Sequence, residues 1–176
     1  MIGYYQFTEA LVEHLQADKE INTVVIGDLS KVDLNKRSIF DFAHILIGSA
    51  SFPVMGVVRF NVTISVMDLV DEAKNDIKDI NKDERWKGID NRQEVLNSML
   101  GVIERLTKSL DMGDLEDAGY ELIDRGAAEP FEDRFENLLT GWSNTYTIDI
   151  INTVQNCVST PISFTAPTIT VTDYGN

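Results

Sequence analysis

The chain has 176 residues, 43% of them hydrophobic and 25% charged, with 29 acidic against 15 basic side chains and a formal net charge of −14. A chain this long can bury roughly 70% of its unfolded surface and needs neither disulfides nor metals to hold a core. The acidity argues against a grip on nucleic acid, which requires Lys and Arg to displace counterions from phosphates. The single Cys157 excludes an internal disulfide.

The opening MIGYYQFTEALVEH has neither the basic start nor the apolar stretch of a secretion signal, and no run of about 18 apolar residues occurs. The sequence therefore reads as intracellular, with no membrane span. Phe7, Ala10, Leu11 and Leu15 recur at helical spacing and predict a helix over residues 6–16, with Thr8, Glu9, Glu13 and His14 outward or at an edge. Residues 23–26 are a β-branched strand pattern, and 29–34 continue extended after the Gly27-Asp28 turn signal. A further strand is expected over 43–47. The segment 48–53 punctuates it before a long strand over 56–69, as in a hairpin with a loop. In that long strand Phe60, Val62, Ile64 and Val66 share one face while Asn61, Thr63 and Ser65 take the other.

Residues 71–92 lose all periodicity and read as a polar excursion, longer than an ordinary connection. Asn91 and Glu94 form a variant capping box that opens the principal helix, residues 93–110. Its stripe is Val95, Met99, Val102, Ile103, Leu106 and Leu110, widened by Leu96 and Leu100. An acidic turn over 111–119 and brief extended pieces at 121–123 and 127–131 lead to a strand over 141–151. There Trp142, Tyr146, Ile148 and Ile150 oppose Ser143, Thr145, Thr147 and Asp149. The tail, 152–176, has one acidic residue, no basic residue, two prolines and eight Ser or Thr. It could pair with its own sheet edge, stay mobile, or add a strand to a neighbour.

The expected fold class is α+β: a mostly antiparallel β-sheet covered on one face by the amino-terminal helix and the central amphipathic helix. Residues 1–151 form a single domain and 152–176 an extended Thr-rich tail. Charge is concentrated in the middle, since residues 68–136 carry 20 acidic and 10 basic side chains.

Chemistry-bearing patterns are sparse. Neither His14 nor His44 has a Cys or second His at metal-ligand spacing. Asp79, Asn81 and Asp83 imitate the start of a calcium loop, but Glu84 stands where the loop needs Gly and Lys87 occupies a ligand position. Asp111, Asp114, Glu116 and Asp117 could surround a hard cation, yet a solvated helix cap explains them more simply. Glu132 and Asp133 have no pocket to make them an acid and base pair. No phosphate loop, dinucleotide-binding glycine series or nucleophile elbow occurs, so no enzyme, cofactor or metal role is expected. Trp86 either covers a small satellite core or waits for a partner.

Taken together, FTEALVEHLQADKEINTVVIGDLSKVDLN, AHILIGSA, VVRFNVTISVMDLVDE, QEVLNSMLGVIERLTKSL and EPFEDRFENLLTGWSNTYTIDI, spanning about residues 4–151, resemble the tail-terminator and tail-completion (head-to-tail connector) proteins of long-tailed bacteriophages. The resemblance implies an amino-terminal helix, a β-sheet, a packed helix and final strands, in that order. It also implies a homo-oligomeric ring, commonly a hexamer, at the head-proximal end of the tail tube, in contact with the tail tube protein and the head connector protein. The place implied is the virion tail or neck, after synthesis in the host cytoplasm. On that reading an acidic lumen would repel the phosphates of passing DNA, with Asp68, Asp71, Glu72, Asp111, Asp114, Glu116 and Asp117 as candidates to line it. The alternative is a monomeric adaptor that engages one partner through its long loop or tail.

Overall fold

The computed structural model describes residues 3–28, 40–70, 91–134 and 139–151. The predicted strand at 29–34, nearly all of the polar excursion, the Thr-rich tail and the calcium-like triplet lie outside the described residues. The chain folds as α1 (Tyr4–Ala17), β1 (Thr23–Ile26), β2 (Phe42–Ser51), β3 (Val57–Leu69), α2 (Arg92–Met112), α3 (Asp114–Asp117), β4 (Tyr120–Asp124), β5 (Glu129–Arg134) and β6 (Leu139–Ile151). This is the expected α+β arrangement.

The six strands form one sheet in the order β1-β2-β3-β6-β4, with β5 also on β6. Among the described residues only the β1–β2 pairing is parallel. β3 and β6 are its spine, paired without a slip from Val57↔Ile151 to Leu69↔Leu139. The far edge of β6 is shared end to end, β5 taking Leu139–Ser143 and β4 taking Thr147–Ile150. Gly126 makes that hand-over possible. Its φ is +62°, and a Cβ there would run into the Thr145 carbonyl.

Alternation decides which face is covered. Phe60, Val62, Ile64 and Val66 on β3 and Tyr146, Ile148 and Ile150 on β6 meet Phe7, Leu11 and Leu15 of α1 and the whole predicted stripe of α2. Burying each such aliphatic or aromatic side chain contributes about 1.5–3 kcal/mol. Two polar groups fix α2 along β6. Trp142 Nε1 donates to the Leu96 carbonyl at 2.7 Å, and the Tyr146 hydroxyl lies 2.8 Å from Thr107 Oγ1. Leu96 is half-buried and Leu100 is exposed, and neither belongs to the core cluster that the stripe joins.

A smaller cluster, Phe42, Met67, Phe131 and Leu139, sits on the opposite face at the far end of β3. Gly141 of β6 stands opposite Met67 there, and a Cβ on it would strike the Val66 carbonyl.

Three local expectations change. Gly48 does not end a strand: β2 runs on to Ser51, and the register shift between Ile47 and Ser49 absorbs the glycine as a bulge. Asn91 stands at the α2 N-cap but makes no capping bond, its amide reaching the Leu69 carbonyl instead at 3.4 Å. Thr8 is buried rather than outward, its hydroxyl satisfied by the Tyr5 carbonyl at 2.9 Å.

Candidate functional site

β2 is covered along its first half and open along its second. Phe42, Ala43, His44 and Ile45 are all buried, whereas from Leu46 to Ser51 only Ile47 keeps partial cover. β1 pairs with β2 only as far as Ile45, and among the described residues no strand continues along that edge. The second half of β2 is thus an open edge of the sheet beside the β3–β6 spine, and the turn that follows it, residues 52–56, is exposed. Residues 46–58, LIGSASFPVMGVV, contain no charged side chain in a chain that is 25% charged.

At that turn Val57 N donates to the Val54 carbonyl at 3.2 Å, and Gly56 takes φ +84°, which closes it. Phe52, Val54 and Met55 are exposed there, Met55 at 97% of its full surface. Ile151, paired with Val57, is exposed at the same end of the sheet. Tyr4 and Tyr5 at the start of α1 are exposed too, and the Tyr4 ring packs 6.0 Å from Phe60. Monomeric proteins seldom leave so many large apolar groups together at one end.

The uncovered face of the spine is a polar ladder. Arg59 and Asp149 form a two-bond ion pair at 2.7 and 2.8 Å, and the Asp149 hydrogen bond holds the guanidinium more firmly protonated. Asn61 bridges Ser49 and Thr147, while Thr63 meets Thr145 and Ser65 meets Ser143 at 2.9 and 3.0 Å. These groups satisfy one another across the strands and need no ligand.

The proposed lumen residues are not gathered in one place. Asp68 lies near the end of β3, opposite Thr140, with its carboxylate accepting from Leu69 N at 2.7 Å. Asp111, Asp114, Glu116 and Asp117 lie at the other end of α2, about 30 Å away by helix length, and on the helical layer. Asp111 is bound by Arg125 at 2.6 Å. Asp71, Glu72 and Trp86 lie outside the described residues, as do the Glu132 and Asp133 side chains.

One cleft opens on the helical side, about 530 Å³, lined by His14, Ala17, Asp18, Lys19, Arg105 and Asp114. Burial lowers the His14 pKa, against the opposing pull of Asp114 and Asp18. Burial pushes the Asp18 carboxyl up, but hydrogen bonds from Arg105 and the Glu20 amide outweigh it and hold the group below the usual carboxylate range. Ser109 Oγ stands 3.5 Å from His14 Nδ1, too far for an activated nucleophile in this conformation. Among the described residues no group of three His, Cys, Asp or Glu is placed to hold a metal ion, and no helix is long and apolar enough to cross a membrane.

The apolar edge and turn escaped the sequence reading because Gly48 and Pro53 look like strand breakers; their uncharged run was the available signal. No protein-family model matches the chain, and no curated protein matches it.

Proposed function

We propose that this chain is a structural component of a long-tailed bacteriophage virion, forming a ring at the head-proximal end of the tail tube. The ring ends tube polymerisation and joins the tail to the head connector. The observation that carries this reading is the uncharged, exposed edge and turn over residues 46–56, beside a helix-covered core. The order of elements supports it as well, because helix, sheet, packed helix and final strands follow one another as in the proteins the sequence resembles.

The mechanism is geometric rather than catalytic. A head-to-tail contact whose rotation divides a full circle closes into a ring, and one surface of that ring caps the tube while the other meets the connector. The chain's net charge of −14 keeps DNA phosphates from sticking as they pass. Native mass spectrometry and electron microscopy of the purified chain, alone and with assembling tail tubes, test the reading. A closed oligomer, or binding confined to tube ends with arrested growth, is expected. A chain that neither closes into a ring nor binds tube ends is an adaptor or something else, and the reading fails.

A further inference from the structure

We infer that the apolar end of the sheet, formed by Phe52, Val54 and Met55 of the turn with Ile151, Tyr4 and Tyr5, is the surface through which one copy of this chain contacts a second copy. The inference rests on the ring reading and assigns the contact within it.

Three observations select a second copy as the occupant. The first is area. With a large side chain exposing about 150–250 Å², these six side chains, between 54% and 97% exposed, leave on the order of 800 Å² open, what each partner contributes to a stable protein interface. The second is composition: aromatic residues and Met are enriched at the core of such interfaces and charge is depleted, and residues 46–58 carry no charge. The third is the edge. β2 beyond Ile45 has no strand on its outer side among the described residues, and it lacks the charged side chains that keep lone edges from pairing.

Charge supplies a signature for this occupant. Two copies each carrying −14 repel at low salt, so a contact made by apolar groups between them strengthens as salt shortens the Debye length from about 30 Å at 0.01 M to about 8 Å at 0.15 M. A basic partner would be attracted to the same molecule and released by salt.

The test is sedimentation and native mass spectrometry of the full chain over a concentration series at both salt levels, with a Phe52→Ser/Met55→Ser variant and a Met55→Leu variant. Wild-type association that strengthens with salt, falls at least about tenfold in the double variant and survives in Met55→Leu is expected, with equal denaturant midpoints showing that all three fold. Association untouched by the double variant overturns the assignment and leaves the ring reading standing. A wild-type chain that stays monomeric at every concentration and salt overturns the inference too, since the surface then meets no second copy; capping of tubes decides the ring reading separately. A closed dimer without a ring upholds the contact and removes the ring.

Discussion

The two halves of β2 have adjacent residues and opposite surroundings. From Phe42 to Ile45 the strand has β1 on one side and β3 on the other, and all four residues are buried. From Leu46 to Ser51 it keeps only β3 and lies largely open to solvent. One strand therefore serves two purposes. Its first half is held by packing on both sides, while its second half is an open edge in which Ile47 alone still packs against the core.

The most severe way to probe the covered part is Gly141→Val. A Cβ at this position overlaps the Val66 carbonyl oxygen and lies 2.8 Å from Met67 Cα, both backbone atoms that cannot swing aside. The β3–β6 spine must then part locally, and a loss of about 3 kcal/mol or more is expected, read by denaturant unfolding. A loss below about 1 kcal/mol would mean that the spine yields as easily as the open edge, and the contrast between them would go.

A sharper comparison uses neighbours. Ile45 is fully buried and Leu46 is 44% exposed on the opposite face. Ile45→Ala is expected to cost about 2–5 kcal/mol, and Leu46→Ala to stay within about 0.5 kcal/mol of wild type. Equal losses would show that the open edge is packed in solution and would remove the reason to regard it as a free surface.

Much of this fold is legible in the sequence because it is periodic. The alternation of Phe60, Val62, Ile64 and Val66 and the stripe from Val95 to Leu110 each commit a face to the core, and all of these residues are buried. The full length of β2 is not legible, because a bulge lets Gly48 sit inside a strand where local rules make it a break. Nor is the exposure of residues 46–56, which depends on where β1 stops along β2. Charge alone puts Asp68 and Asp111 in one group, and it does not reveal that α2 separates them by its own length.

The smallest effect expected separates the two regions by pH. His14 belongs to the covered side, facing Asp18 after α1, Ser109 of α2 and Asp114 of α3, and burial lowers its pKa below the ordinary 6.5. The unfolded chain therefore binds a proton more readily than the folded one. The stabilisation from a neutral His14 is complete above pH 6.5 and is lost as pH falls from there through the lowered folded value. Asp18 follows at lower pH: its depressed pKa makes its contribution complete above the ordinary 3.8 and lost as pH falls through the folded value. In denaturant unfolding at pH about 7.5 and about 5.5 the wild type is expected to be less stable at the lower value, and His14→Gln to flatten the difference. The open edge and turn have no titrating side chain between Leu46 and Val58, so the Phe52→Ser/Met55→Ser variant should keep the wild-type pH slope. If that variant alters the slope as much as His14→Gln does, the open edge and the helical layer are energetically one unit, and the division within β2 is wrong.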